Sequence, residues 1–155
     1  MLTLIAVLTA VAFSTQSMAA NMVGKPLPNG LILIKSDFSP KETLDRLANI
    51  LKSKNIQVVA RVDHAAAAKK AGADLPPTEL LIFGNPKTGT PLMQGKRTIG
   101  IDLPLTALGW QTKEGSWIAY NAPKWLEERH QTGKTENIAK MAVAMNKMVA
   151  AAAKK

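Results

Sequence analysis

The chain has 155 residues, which suits one domain, and 46% of them are apolar but only 5% aromatic, so we expect an aliphatic core. It contains no cysteine, which excludes disulfides, thiol chemistry and thiolate metal sites. The net charge is +9, but the basic residues are scattered and form no stripe with interleaved aromatic residues. We therefore predict a solvated basic surface and no nucleic-acid partner.

The first twenty residues differ from the rest of the chain. Residues 1–13 are apolar apart from two threonines, and small and polar residues follow them. This pattern is typical of a secretory signal peptide cleaved after Ala19 or Ala20, although no Lys or Arg precedes the apolar run. An uncleaved N-terminal anchor is the alternative. We predict a signal peptide at residues 1–20, a lead-in at 21–30 and one domain at 31–150, located in the periplasm or secreted.

Apolar runs and helical spacing predict alternating strands and helices in the first half of the domain. Strands are predicted at residues 31–35, 56–62 and 79–83, the third of them fully buried. Two helices are predicted between them, at residues 40–54 and 65–71.

Capping residues support both of these helices. Ser39 precedes Pro40, and Glu42 completes a capping box at the start of the first helix. Asp63 is placed to cap the second helix, and Gly72 follows it where a left-handed C-terminal cap is expected.

The second half of the domain is less regular. Residues 87–97 include Gly89 and Pro91, so any helix there is predicted to be short or broken. Two strands joined by a short hairpin loop are predicted at residues 104–112 and 116–120.

The last two predicted elements are helices, a short one starting at Pro123 and a long one over residues 135–150, followed by a frayed alanine–lysine end. The whole order predicts an α+β fold. We expect a two-layer sandwich in which helices pack on one mixed sheet of about five strands.

Three stretches of the chain carry a family resemblance. They are ARVDHAAAA at residues 60–68, LPPTELLIFGNPKTGTPLM at 75–93 and GIDLPL at 100–105. Through them the chain resembles the family numbered 302 among domains of unknown function. The resemblance implies a compact two-layer α+β domain that is often exported and often dimeric. It implies no agreed reaction. Haem is the one cofactor that the resemblance suggests.

The most suggestive polar cluster is formed by Arg61, Asp63 and His64. On a strand, Arg61 and Asp63 point to one face, and His64 lies at the strand end, where ligands often bind. An imidazole there could act as a general base or as an axial haem ligand. The structural alternative is that Asp63 caps the next helix, Arg61 pairs with a carboxylate and His64 lies at a turn or a dimer seam.

Asp102 lies between apolar neighbours, so if buried it needs a partner, and we expect that partner to be Arg61. His130 follows charged residues and is expected to be solvated. Residues 84–90 follow a strand and could attract an anion weakly through backbone amides, without a nucleotide-binding motif. No metal site is predicted. A haem bound through His64 would need an apolar slot, for which the predicted lining residues are Met93, Ile101, Leu103 and Trp110.

Three hypotheses follow for the function. The first is a non-enzymatic periplasmic accessory domain that forms a homodimer and binds a small anionic ligand near Arg61, Asp63, His64 and Asp102. The second is a haem-binding or redox protein, or an enzyme, that uses His64. The third is a structural homodimer. No serine in a glycine-flanked elbow supports hydrolysis, so the sequence favours binding over catalysis.

Overall fold

The structure, a computed structural model, describes residues 25–155. The predicted signal peptide at residues 1–20 lies outside the described residues. The five strands are β1 Leu31–Ser36, β2 Gln57–Asp63, β3 Thr78–Gly84, β4 Leu105–Thr112 and β5 Gly115–Asn121. The helices are α1 Pro40–Ser53, α2 His64–Lys70, α3 Pro86–Gly95, α4 Pro123–His130 and α5 Glu136–Ala153, with a 3₁₀ helix at Arg97–Ile101.

The strands form one sheet in the order β1-β5-β4-β3-β2, and every neighbouring pair is antiparallel. The predicted α+β sandwich with a five-stranded sheet is thus confirmed, but the sheet is not mixed. The reason is that α1 carries the chain from one edge of the sheet to the other. β1 and β2 run in the same direction, yet they occupy opposite edges and never pair.

The inner face of the sheet carries the core, because strand side chains alternate between two faces. In β3, Leu81 and Phe83 are buried, whereas the residues between and before them are only half-buried. The prediction that β3 is fully buried is therefore wrong. Leu81 and Phe83 belong to the main core, and the half-buried residues of β3 do not.

Helix α1 packs directly on the inner face. It starts as predicted, with the Ser39 side chain accepting a hydrogen bond from the Glu42 amide at 3.2 Å. Its residues Leu44, Leu47 and Leu51 are fully buried in the main core.

Gly109 of β4 allows α1 to approach the sheet closely. A Cβ atom there would lie 3.2 Å from the Pro40 carbonyl oxygen and 3.3 Å from the Leu44 side chain. A larger residue at this position would have to push the helix away from the strand.

Helix α3 is continuous over ten residues, so it is short, as expected, but not broken at Gly89 or Pro91. Asn85 caps it, accepting a hydrogen bond from the Lys87 amide at 2.9 Å. Pro91 lies on its exposed side, where water can satisfy the carbonyl that has lost its partner. Leu92, next to Pro91, is buried and anchors the helix to a second apolar cluster.

Helix α5 continues to Ala153, and its last turn is fixed rather than frayed. Ala152 and Ala153 are fully buried. The Ala153 carbonyl accepts a hydrogen bond from the Asp37 amide at 2.8 Å, and Arg46 Nε donates to the Ala152 carbonyl at 3.0 Å. Arg46 Nη2 also donates to the carbonyl of Lys154 at 3.0 Å. We call this junction of β1, α1 and the end of α5 the closed end.

Candidate functional site

Arg61 of β2 is held by two carboxylates. Its Nε and Nη2 donate to Glu79 of β3, with 2.8 Å between Nη2 and Oε2, and its Nη1 donates to Asp45 of α1. Nη2 also donates to the Lys41 carbonyl at 3.1 Å. The two-pronged contact with Glu79 is the geometry in which Arg binds carboxylates most strongly. Arg61 therefore ties β2, β3 and α1 together.

The charges around Arg61 are mutually compensated. Hydrogen bonding to Glu79, and then to Asp45, raises the pKa of the guanidinium above its ordinary value. Hydrogen bonds from Lys41, and then from Arg61, lower the pKa of Asp45. With the carboxylates of Glu79 and Asp45 both bound to it, Arg61 has little attraction left for an anionic ligand.

Asp63 and His64 adopt the structural arrangement that the sequence left open. The Asp63 side chain accepts a hydrogen bond from the Ala66 amide at 2.8 Å and so caps α2. His64 is the first residue of α2 and is exposed. It lines neither of the two cavities described below.

Asp102 does not pair with Arg61, contrary to the prediction. Its carboxylate contacts Arg129 Nη1 at 3.2 Å and His130 Nε2 at 2.5 Å. The expectation that His130 is solvated is also wrong, because only 6% of it is exposed. The second ring nitrogen, Nδ1, contacts the Thr98 hydroxyl at 3.2 Å.

The Thr98 hydroxyl, the His130 imidazole and the Asp102 carboxylate follow one another in the order of a catalytic nucleophile, its general base and the group that orients the base. Thr98, however, is an exposed residue on the 3₁₀ helix, and neither it nor His130 nor Asp102 lines either of the two cavities described below. The contacts instead fix the 3₁₀ helix against the end of α4. We assign them a structural role.

The predicted haem slot does not form. Met93 and Leu103 line one cavity, Trp110 lines a different one on the other face of the sheet, and Ile101 is 78% exposed. Because His64 borders neither cavity, these residues do not fit a haem ligated by His64.

A cavity of about 520 Å³ lies between α3, the part of α5 up to Met148 and one end of the sheet. We call it the α3–α5 cavity. Its volume is typical of small-molecule sites. Its apolar lining includes Ile56, Val59, Phe83, Met93, Leu103, Leu105, Met141, Met145 and Met148. Its polar lining includes Lys54, Gln57, Asn85, Thr88, Thr90, Asn137 and Lys140.

The local fold explains why this end of the sheet is open. β3 ends at Gly84, whose Cβ position would lie 3.2 Å from the Pro104 side chain that leads into β4. The chain then turns away into α3, and α5 crosses above it. Methionines of both helices face the gap, and their flexible, unbranched side chains leave it adaptable in shape.

The outer face of the sheet is also apolar, and no described helix packs across it as α1 and α5 do on the inner face. Trp110 of β4 and Trp117 of β5 stack there, with ring centroids 6.5 Å apart and planes inclined by 19°. A shallow cavity of about 480 Å³ lies on this face. Its lining includes Leu31, Leu33, Thr106, Leu108, Trp110 and Ala119.

Tyr120 is a buried polar residue that sequence reasoning did not single out. Its hydroxyl has no hydrogen-bond partner within residues 25–155, and burial raises its pKa to about 12. A phenol with this pKa stays protonated at neutral pH and is a poor base. It is a core residue of the inner face.

Within the described residues, no three His, Asp or Glu side chains come together as a metal site would require. In the same part of the chain, no helix has the length and apolar character needed to cross a bilayer.

The fold defines a two-layer α+β sandwich that occurs in a known crystal structure. A DUF302 protein from Bacillus stearothermophilus, described as an uncharacterized conserved protein, matches with a TM-score of 0.65. The match covers 80% of this chain and 95% of that one, at 19% sequence identity. At this identity the likeness concerns the fold alone.

The chain belongs to the family described as Domain of unknown function DUF302, whose profile matches residues 32–152. It is also 50% identical over 114 residues to proteins named Fluoride-specific ion channel FluC 1 from Brucella suis biovar 1 (strain 1330) and Brucella abortus biovar 1 (strain 9-941). These matches cover 73% of this chain but 45% and 42% of the two Brucella proteins. The chain thus spans less than half the length of these relatives.

Sequence reasoning missed the α3–α5 cavity as a site. The one available signal was the spacing of Met141, Met145 and Met148, which places three thioethers on one face of a helix. That pattern is equally typical of ordinary core packing, and the opposing Met93 belongs to a separate predicted element.

Proposed function

We propose that this chain is an exported accessory domain that binds a small ligand in the α3–α5 cavity and catalyses no reaction. The observation that carries the proposal is the cavity itself, about 520 Å³ in volume, whose lining combines apolar side chains with several polar ones. Export is supported by the apolar N-terminal run and the small residues that follow it.

The placement of the ionisable groups argues against catalysis. Arg61, Asp63 and Asp102 are all engaged by neighbouring protein groups, and His130 is hydrogen-bonded on both ring nitrogens. None of them borders the cavity. A general acid or base must come within hydrogen-bond reach of its substrate, so these residues do not form an active site as placed.

The test is to identify what the folded protein carries. The full-length chain is expressed in a bacterial host, and the exported protein is purified from the periplasm and analysed by native mass spectrometry, then by mass spectrometry of a denatured extract. We expect a bound small molecule in the wild type. Its loss is expected in Ala144→Phe, which places a large ring at an exposed position of the cavity wall. Identical extracts from both proteins would contradict the proposal.

A second candidate function is suggested by the curated relatives. Part of each Brucella protein named as a fluoride channel resembles this chain, and residues 25–155 supply no helix able to cross a membrane. Two domains that form one chain in some organisms often act together when separate genes encode them in others. This chain would then assist a fluoride channel from outside the bilayer.

Fluoride resistance tests this second candidate. A host lacking fluoride export is given a fluoride channel with and without this chain, and growth is measured over a fluoride series. The accessory role predicts higher resistance with both proteins and co-purification of the two. Equal growth together with no co-purification would exclude it.

We also propose that the protein is a homodimer built on the outer face of the sheet. Among the described strand residues that face this side, Lys35 is the charged one, and it lies at the edge with its Nζ 6.0 Å from the Trp117 ring. Two copies of a chain with net charge +9 can therefore stack here with little repulsion. Exposed apolar faces of this kind often mark protein–protein interfaces.

Sedimentation velocity tests the dimer. Leu108→Glu places a carboxylate in the middle of the outer face and is expected to give a monomer. Val143→Glu changes an exposed valine on α5, on the other layer, and serves as the matched control that stays dimeric. A wild type that sediments as a monomer would refute the dimer.

A further inference from the structure

We infer that the α3–α5 cavity takes an amphiphile with an aliphatic chain and a single anionic head group. The inference rests on the proposed function, which requires only that some small ligand binds there. It adds the chemical class of the ligand, which follows from how apolar and charged groups are distributed around the cavity.

The interior of the cavity suits an aliphatic chain. Phe83 and Leu105 form its floor at the ends of β3 and β4, and the methionines of α3 and α5 form its sides. Methionine accommodates unbranched chains of varying length because its own side chain is unbranched and has several rotatable bonds. A rigid planar ligand would need a more fixed outline than these side chains provide.

The charged side chains that line the cavity are two lysines. Lys54 follows the C-terminus of α1, and Lys140 lies one turn into α5. No Asp, Glu or His of the described chain lines this cavity. Two lysines without a lining carboxylate favour an anion and disfavour a cation.

Lys140 is available for a ligand despite its pairing with Glu136 at 2.6 Å. Both side chains are largely exposed, at 71% and 79%, and such surface pairs contribute little free energy. A head group at the cavity mouth can therefore take over this lysine without a large loss.

The backbone amides at the start of α3 do not provide the anion site. The Lys87 amide donates to the Asn85 side chain, and the amides of Thr88 and Gly89 donate to the Asn85 carbonyl at 2.9 and 3.0 Å. With these donors engaged, the lysine side chains are the groups that would contact an anion. In this proposal, Lys54 and Lys140 therefore replace the amides of residues 84–90 as the anion-binding groups.

Isothermal titration calorimetry below the critical micelle concentration tests the inference. Laurate and dodecanol share one chain and differ in the head group, so their comparison isolates the charge. Lauroyl-lysophosphatidylglycerol carries the same chain on a phosphodiester. It distinguishes a phospholipid source of the anionic head from a free fatty acid.

Three lysine variants locate the charge recognition. Lys54→Gln and Lys140→Gln are each expected to weaken laurate binding by about twofold to fivefold, the range of an exposed ion pair, and to leave dodecanol unchanged. Lys147→Gln is the matched control, because Lys147 is an exposed lysine of α5 that does not line the cavity. It is expected to change neither affinity.

The outcomes separate the ligand class from the function. Laurate or the lysophospholipid binding tighter than dodecanol, with the loss confined to the two lining lysines, supports the inference. Equal binding of laurate and dodecanol that Ala144→Phe abolishes overturns the anionic head while leaving a ligand site in place. No binding of any of the three overturns the amphiphile, and the co-purified ligand then decides the proposed function separately.

Discussion

The last turn of α5 and the turns before it lie in contrasting surroundings. The end of the helix reaches the closed end, where Val149, Ala152 and Ala153 are fully buried and the last carbonyls receive hydrogen bonds from Arg46 and Asp37. The earlier turns, from Asn137 to Met148, border the α3–α5 cavity, where Met141 is only half-buried and Lys140 is exposed.

The contrast shows how one helix can serve both stability and binding. Terminal carbonyls of a helix lack intrahelical partners, and at the closed end a cation and a neighbouring strand supply them. The earlier turns of α5 do not contain these terminal carbonyls, so they can border a cavity. Rigid anchoring at one end therefore permits an adaptable surface at the other.

The largest expected effect comes from deleting apolar volume at the closed end. Leu44→Ala removes a fully buried side chain next to Gly109 and is expected to lower the free energy of unfolding by about 2–5 kcal/mol. Met93→Ala, on the half-buried cavity wall, is expected to cost about 1 kcal/mol, since less area is lost. Urea unfolding measures both. Equal losses would erase the contrast between the two ends.

Removing the guanidinium that caps α5 should have the next largest effect. Arg46→Ala loses the hydrogen bonds to the carbonyls of Ala152 and Lys154 and the contact with the Phe38 ring, 4.0 Å away. We expect a loss of about 1–3 kcal/mol, the range for hydrogen bonds to charged groups. Arg46→Lys keeps the charge without the forked geometry and should recover only part of it. Full recovery by lysine would show that charge alone matters.

The ion pair at the closed end should make stability depend on acid pH. The hydrogen bond from Lys154, followed by that from the Lys155 amide, lowers the pKa of Asp37 below its ordinary 3.8. The stabilisation is therefore present above pH 3.8 and is lost as the pH falls through the lower, folded-state pKa. Asp37→Asn should flatten this part of the profile of melting temperature against pH. An unchanged slope would contradict the assignment.

The smallest effect on stability is expected at the cavity mouth. Ala144→Phe alters an exposed helix position, so the free energy of unfolding should change by less than about 0.5 kcal/mol. The same variant should remove any rise in melting temperature that a cavity ligand causes in the wild type. A large destabilisation without ligand would show that the wall is packed more tightly than its exposure indicates.

Local features of this fold were predictable because their causes are local. Ser39 caps α1 and Asp63 caps α2 as the sequence predicts, since each cap depends on residues within one turn. Gly72 has the expected positive φ, 78°. The strand positions follow from apolar runs in the same way.

Features that depend on distant partners were not predictable. The Arg61–Glu79 contact joins residues 18 positions apart, and the His130–Asp102 contact joins residues 28 apart, so neither follows from spacing. The sheet is entirely antiparallel because α1 places β2 at the opposite edge from β1, and no local signal in the sequence specifies that placement. The α3–α5 cavity forms only when α3, α5 and the end of the sheet come together. Each of its apolar residues, taken alone, has the sequence pattern of an ordinary core residue.

The stacked indoles of Trp110 and Trp117 give the protein a built-in optical reporter. Rings held 6.5 Å apart at 19° couple their electronic transitions, and this coupling adds a signal to the circular dichroism spectrum. The third tryptophan, Trp125, packs against the core in the opposite layer and does not contribute to this signal. A partner that binds to the outer face will perturb that coupling. Binding to this face can thus be followed by circular dichroism, without a label and independently of the cavity.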